Sequence, residues 1–319
     1  MRNVIAILMF ACLSGTVSGA DRAPPPWAFA VNPPGIQPVP DDGTMRNVPG
    51  SSKAFTLTQI RDLFSAPDWH PDGHPPMPEI VSHGAKPAVF ACGYCHLPNG
   101  LGRPENSSLA GLSAEYIVQQ VADFRSGARK SSEPASLPVN LMIAVAKAVS
   151  DDDLRTAAEY FSALRPKPWI RVIETSTVPK THVAGWMLVA SEAGATEPIG
   201  HRIIEMPEDL ERTELRDAAS GFVAYVPAGS IRKGEALVST GGAGRTTPCA
   251  ICHGEDLRGL GPVPALAGRS PSYIVRQLYD MRHGVRNGPW TELMKAVVAQ
   301  LSDEDLVSIA AYTASLAPK

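Results

Sequence analysis

The two stretches Cys92-Gly-Tyr-Cys95-His96 and Cys249-Ala-Ile-Cys252-His253 decide the fold of this chain. A Cys-x-x-Cys-His run is the attachment signature of c-type haem. Each thiol adds to one vinyl group of the haem, and the histidine that follows becomes the proximal ligand of the iron. The sequence therefore predicts two covalently attached haem c groups.

Other interpretations of the four cysteines are weaker. In an exported chain, four cysteines commonly form two disulfides. A structural zinc site usually draws both cysteine pairs into one site, and a thioredoxin-like redox pair does not require a histidine next to it. Two copies of one five-residue pattern are not expected by chance, so haem attachment is favoured.

An internal repeat surrounds the two motifs. His96 and His253 are 157 residues apart, and the same offset relates residues 109–127 to residues 266–284. Farther on, the offset falls to 152, because the first copy carries a loop about five residues longer. Self-similarity of this length indicates one structural unit used twice.

Each unit is predicted to contain three helices: a short one with the cysteines, a middle one and a final one. The middle helix is expected at 113–126 and again at 271–283, with Gly127 or Gly284 as its stop. The final helix begins at Ser150 or Ser302, where acidic residues of the first turn suit the helix dipole.

The repeat also indicates the distal ligands. A haem that only carries electrons needs a sixth ligand that holds in both oxidation states, and a methionine thioether raises the potential. Met142 and Met294 coincide between the repeats and lie downstream of the histidines, whereas Met281 aligns with Phe124 and is interpreted as a core residue. Although a buried methionine usually only fills space, the pairing predicts iron ligation. The complete predicted set is Cys92, Cys95, His96 and Met142 for the first haem, and Cys249, Cys252, His253 and Met294 for the second.

The remaining sequence predicts export and two additional segments. Arg2, the apolar run 4–13 and Ser18-Gly-Ala20 form a signal peptide over residues 1–20. No later stretch is apolar enough to span a membrane, and a net charge of −3 gives no support for nucleic-acid binding. Residues 21–84 form a proline-rich extension, in which the His70, His74 and Met77 cluster is interpreted as extended chain rather than a metal site.

Both units resemble class I cytochrome c domains, and their pairing resembles the dihaem c-four type. The resemblance rests on the haem motifs, the Leu-Ala-Gly…Tyr-Ile…Gln stretches and the Met…Leu-Ser-Asp-Glu-Asp-Leu ending. It implies all-α domains over 85–165 and 232–319, His/Met ligation and periplasmic electron transfer. It also implies a proline carbonyl against each proximal histidine: Pro264 in the second unit, and in the first only a guess at Pro104. Residues 166–231 depart from this family and are expected to form a few short strands.

The expected fold class is therefore mainly α: two tandem class I cytochrome c domains, an inserted irregular or β-containing segment and a proline-rich extension. The expected function is periplasmic electron transfer between redox proteins of unknown identity, with electrons entering at one haem and leaving from the other. Two alternatives remain. The chain could be a dihaem oxidoreductase such as a peroxidase, or the cytochrome subunit of a larger dehydrogenase or oxidase complex.

Overall fold

The computed structural model describes residues 23–191 and 194–318, so the predicted signal peptide lies outside the described residues. The described chain is mainly helical and confirms the predicted fold class. Helices make up two similar units, while seven short strands belong to the segment between them.

The N-terminal extension packs along the rest of the chain instead of standing free. Its first helix, α1 (Leu57–Ile60), is capped by Thr56, whose side chain accepts a hydrogen bond from the N–H of Gln59. Trp69 is buried and donates its indole N–H to the carbonyl of Leu215, at 2.8 Å. Phe29 lies edge-on against Tyr279 of the second unit. The extension thus fills gaps beside both the inserted segment and the second unit.

The first unit contains five helices around one apolar core. They are α2 (Glu79–Ser82), α3 (Cys92–His96), α4 (Ala114–Ser126), α5 (Leu137–Ala148) and α6 (Asp151–Ala163). Ser113 caps α4 by accepting from the N–H of Tyr116, and Gly127 ends it with a φ of 78°. Ser150 caps α6 in the same way, so the predicted helix starts and stops agree with the structure.

The inserted segment is a small β structure that joins the two units. Its elements are β1 (Ile170–Thr175), β2 (Thr177–Pro179), β3 (Thr181–Ala184), β4 (Met187–Ala190), β5 (Thr196–Pro198), β6 (Ile204–Pro207), α7 (Leu210–Glu214) and β7 (Phe222–Pro227). In the three-stranded sheet, β7 lies between β1, to which it is parallel, and β6, to which it is antiparallel. Two further pairs, β2 with β5 and β3 with β4, are antiparallel. Because β1 leaves the first unit and β7 enters the second, the sheet ties both units to the insert.

The second unit repeats the helical arrangement. Its helices are α8 (Ser230–Thr240), α9 (Ala250–His253), α10 (Pro271–Arg282), α11 (Glu292–Val298) and α12 (Asp303–Ser315). Helix α8 packs closely against α12 at Gly234, where an added Cβ would lie 2.0 Å from the carbonyl oxygen of Ser308.

The prediction of three helices per unit was incomplete. It missed α2 and α8, and also α5 and α11, the helices that carry Met142 and Met294. Helix α5 is apolar on nearly every side, and α11 spans only seven residues. Neither presents the alternation of polar and apolar faces that marks an amphipathic helix.

The two units meet through equivalent residues. Arg129 donates to the Tyr273 hydroxyl and to Gln277 Oε1, both at 2.9 Å. Arg286 donates to the Tyr116 hydroxyl at 2.9 Å and to Gln120 Oε1 at 2.7 Å. Tyr273, Gln277 and Arg286 are the repeat equivalents of Tyr116, Gln120 and Arg129, each at an offset of 157 residues. The interface therefore has an approximate two-fold symmetry that the repeat itself produces.

The close crossing of α8 and α12 leads to a stability prediction. Gly234→Ala places a methyl group against the Ser308 carbonyl and the Tyr312 Cβ, so we expect a loss of about 1–3 kcal/mol in the free energy of unfolding. Denaturant unfolding of the holoprotein measures this loss. Gly73→Ala is the control, since its nearest contact would be 3.8 Å away. Equal stability of the two variants would contradict the prediction.

Candidate functional site

The first unit encloses an apolar cavity of about 370 Å³, within the range of about 300–1,000 Å³ typical of ligand pockets. Residues from several helices form its walls. Helix α3 contributes the motif residues, α4 contributes Phe124 and α5 contributes Met142. All four residues predicted for the first haem, Cys92, Cys95, His96 and Met142, line this one cavity. A histidine and a methionine distant in sequence are therefore brought to the same space.

Each motif histidine is oriented by one hydrogen bond to a main-chain carbonyl. Nδ1 of His96 lies 2.8 Å from the Ser107 oxygen, and Nδ1 of His253 lies 2.8 Å from the Pro264 oxygen. Nδ1–H is the donor in this pair, since a carbonyl only accepts. Nε2 is then the nitrogen left to bind a metal. Burial lowers the pKa of both histidines, so their neutral forms, which metals require, are favoured.

The guess at Pro104 was wrong, while the expectation for Pro264 agrees with the structure. Ser107 occupies the position equivalent to Pro264, and any residue can offer its carbonyl there. The Pro104 carbonyl instead accepts a hydrogen bond from Arg276 of the second unit. The resemblance implied a proline carbonyl at this place, but the carbonyl of a serine makes the same hydrogen bond.

The second unit gathers the same kinds of residue in its own core. Cys249 and Met294 pack against one apolar cluster, and His253 is buried. Met281 packs against the same cluster from α10, as a core residue would. Cys252, by contrast, is exposed, so the second motif lies at the surface.

The residues around the first cavity suit a haem c group. None of Cys92, Cys95, Cys249 and Cys252 is in a disulfide, so the thiols are available for thioether bonds. Haem also carries two carboxylates, and buried cations lie on the side toward the second unit. Arg129 and Arg276 line the cavity, and Arg286 Nε is buried without a hydrogen-bond partner. Burial would raise the pKa of Tyr273, but Arg129 and Arg286 lower it to about 8, which shows an excess of positive charge there.

One residue near the first site was missed by sequence reasoning. Arg269 of the second unit is buried and donates to the Ser108 carbonyl and hydroxyl, both at 2.8 Å, and to the Ala110 carbonyl at 3.0 Å. These acceptors lie one and three residues after Ser107, whose carbonyl accepts the hydrogen bond from His96 Nδ1. Burial lowers the pKa of Arg269 to about 10, so the side chain stays charged at neutral pH. The sequence repeat could have pointed to Arg269, because this charged residue aligns with the apolar Leu112 of the first unit.

The His70 and His74 cluster forms no metal site in the structure. His70 Nε2 lies 2.9 Å from Asp217, and His74 Nε2 lies 3.2 Å from Asp68. Within residues 23–191 and 194–318, no group of three or more histidine, cysteine or acidic side chains could hold a metal ion. The same residues include no helix with the length and hydropathy of a membrane span.

The proposed distal ligands lead to a paired prediction. Met142→His and Met294→His should each preserve haem attachment and lower the reduction potential of one centre, because a thioether favours reduced iron more than an imidazole does. We expect a fall larger than about 59 mV, a tenfold change in a one-electron equilibrium. Spectroelectrochemical titration of the holoprotein measures both potentials. A variant that leaves both potentials unchanged would show that its methionine is not a ligand.

Arg269 leads to a second prediction. Arg269→Leu removes a buried positive charge beside the loop that holds His96, so the potential of the first centre should fall while the second stays constant. Arg269→Lys, which keeps the charge, should recover part of the difference. The same titration gives the result, and a shift confined to the second centre would overturn this assignment.

Comparison with known proteins gives one family match and several relatives. Residues 231–312 match the family described as cytochrome c oxidase, cbb3-type, subunit III. The thiosulfate dehydrogenase electron acceptor of Stutzerimonas stutzeri is 28% identical over 239 residues, which are 74% of this chain and 83% of that protein. Cytochrome c4 of Azotobacter vinelandii is 26% identical over 231 residues, covering 70% and 84% of the two chains.

A shorter relative has a higher identity over a shorter stretch. Cytochrome c-554(548) of Halomonas halodenitrificans is 43% identical over 68 residues, which are 21% of this chain and 82% of that protein. The two longer relatives each span most of both proteins, as expected for a chain of two units. The chain therefore belongs to the c-type cytochromes, as a dihaem member with two tandem cytochrome c domains.

Proposed function

We propose that this chain is an exported electron carrier of the periplasm, and that it is not itself an enzyme. The observation that carries the proposal is the pairing of His96 with Met142 in one cavity. The second unit offers the same residue types, with a buried His253 and with Cys249 and Met294 packed against one core cluster. Haem c, when bound, supplies an iron that changes between two oxidation states. A histidine and a methionine that both bound this iron would leave no open position on it for a substrate.

The protein residues have three tasks in this proposal. Cys92 and Cys95, with Cys249 and Cys252, hold the groups covalently. Met142 and Met294 supply the distal ligands. The carbonyls of Ser107 and Pro264 keep each imidazole in one orientation, as outer-shell partners of metal ligands do. A group held rigidly in this way needs little rearrangement when its charge changes.

We also propose the domain limits that the sequence indicates. They are 1–20 for the signal peptide, 21–84 for the extension, 85–165 and 232–319 for the two cytochrome domains, and 166–231 for the insert. The start of α8 at Ser230 lies close to the proposed start of the second domain. Helix α2 packs on α3 and α6 from within the extension, so that segment completes the first core.

The partner proteins are redox proteins, and one class is favoured. A relative covering most of this chain is named as an electron acceptor of thiosulfate dehydrogenase. We propose as a second possibility that this chain serves a dehydrogenase of that kind as its cytochrome subunit. Co-purification of the native protein without a cross-linker distinguishes a permanent subunit from a free carrier. Weak and transient contact is the rule for redox encounters.

A dihaem peroxidase is disfavoured by the symmetry of the two sites. Such an enzyme needs one iron that can open a coordination position, whereas both units have a histidine and a methionine at equivalent places.

Near-infrared magnetic circular dichroism of the oxidised holoprotein, calibrated by haem content, tests the proposed function. We expect two low-spin centres, each with a sulfur-to-iron charge-transfer band, because both irons are proposed to bind a methionine. The Met142→His and Met294→His variants are the controls and should each lose one band. One high-spin centre in the native protein would contradict the electron-carrier proposal and favour the enzyme, whereas a bis-histidine centre would contradict only the methionine proposed as the ligand of that haem.

A further inference from the structure

Three pairs of equivalent positions lie beside the haem-binding residues of the two units. One position lies between the two cysteines, as Tyr94 and Ile251. The second is seven residues after the histidine, as Arg103 and Leu260, and the third precedes the distal methionine, as Leu141 and Leu293. Since they adjoin the residues that hold haem, these positions report how far each haem edge is covered by protein.

The inserted segment covers this face of the first unit. Tyr94 is only 6% exposed: the Arg216 guanidinium lies 3.7 Å from its ring centre and donates to its carbonyl at 2.9 Å. Arg103 is also 6% exposed and donates to the carbonyls of Gly185 and Thr213.

Two further contacts close the same face. The side chain of Asn99 donates to the Ala218 carbonyl at 2.6 Å, and Trp186 lines the cavity together with Cys95. Leu141 lines that cavity as well and is only partly exposed. Residues 185–218 of the insert thus occupy the place where another protein would approach the first motif.

No such cover exists in the second unit among the residues that the structure describes. Ile251 is 66% exposed, Leu260 64% and Leu293 78%. Exposed large apolar residues that adjoin one site mark an interaction surface. Ile251, Leu260 and Leu293 are here called the apolar patch.

Charges near the patch are nearly balanced. Residues 249–262 and 288–296 contain two cations and three acidic residues. Arg258 pairs with Asp256 at 2.6 Å, and Lys295 pairs with Glu292 at 2.5 Å. A strongly charged partner face would find no surface of opposite charge here. An apolar face with little net charge would complement the patch.

We propose that the apolar patch of the second unit is the docking surface for redox partner proteins, and that the insert closes the equivalent face of the first unit. The partner is a redox protein with an apolar, nearly neutral face around its own metal centre. Donor and acceptor then use the same face in turn, in contrast to entry at one haem and exit at the other. This inference rests on the proposed electron-carrier function.

The first test measures exposure rather than activity. A neutral gadolinium chelate is added to the oxidised holoprotein, and the broadening of the hyperfine-shifted haem methyl signals is recorded by NMR. Met142→His and Met294→His assign the signals, because each alters one set. We expect stronger broadening of the second-unit signals. Equal broadening of both sets, or stronger broadening of the first, would overturn the proposal.

The second test measures docking, with a second copy of this protein as the probe. Electron self-exchange between oxidised and reduced molecules is followed by NMR in the native protein and in Leu260→Asp and Leu293→Asp. Leu210→Asp is the matched control, since Leu210 is 41% exposed on the insert and the charge change is identical. We expect both patch variants to lose at least about tenfold in rate and the control less than twofold.

The outcomes separate this inference from the proposed function. No detectable self-exchange in the native protein would count against the electron carrier itself. If the native protein exchanges electrons and both patch variants keep the native rate, only the proposed docking surface is overturned. A native rate that changes strongly with ionic strength would also contradict a nearly neutral docking face. A stable native dimer that both patch variants dissociate would show that a second copy covers the patch permanently, and would overturn a face open to partners.

Discussion

The imidazole of each Cys-x-x-Cys-His motif is held by one hydrogen bond from Nδ1 to a carbonyl eleven residues downstream, and the shape of each unit follows from it. The chain between the two groups must turn back sharply. Gly102 and Gly259 make this turn with φ of 67° and 87°, and their N–H groups donate to the carbonyls of the histidines. A side chain at either glycine would lie within 3 Å of main-chain oxygen. The loop between each histidine and its carbonyl partner can therefore hold the imidazole only because a glycine allows the main chain to turn so tightly.

Helices then pack around the space that this loop leaves. In the first unit, α4, α5 and α6 surround the cavity, and α5 brings Met142 to the cavity that His96 also lines. The interface between the units adds buried arginines on the side where the units meet, in a symmetric arrangement of Arg129 and Arg286 with tyrosine and glutamine partners. A haem carboxylate would meet compensating charge there.

The two units are alike in sequence but unlike in surroundings. The insert and the extension contribute most of the difference, since they bury Tyr94 and Arg103 in the first unit and leave Ile251 and Leu260 exposed in the second. Arg269 adds a further asymmetry, as it extends from the second unit to the loop behind His96. Two copies of one domain can in this way acquire different potentials and different access to partners without any change of ligands.

The haem motifs, the repeat and the helix caps are local patterns, so the sequence alone determined the fold class, the number of haem groups, the bounds of α4 and α10, and the starts of α6 and α12. The choice of Met142 and Met294 as proposed ligands also came from the sequence. In a repeat, a methionine that occurs at the same position of both copies can be distinguished from one that occurs in a single copy. The helices that carry these methionines were missed, since their local pattern is weak. The coverage of the first unit, the contact of Arg269 with Ser108 and the symmetric arginine pair were decided only by tertiary structure. Each joins residues more than 80 positions apart, and such contacts depend on how whole elements pack rather than on any pattern along the chain.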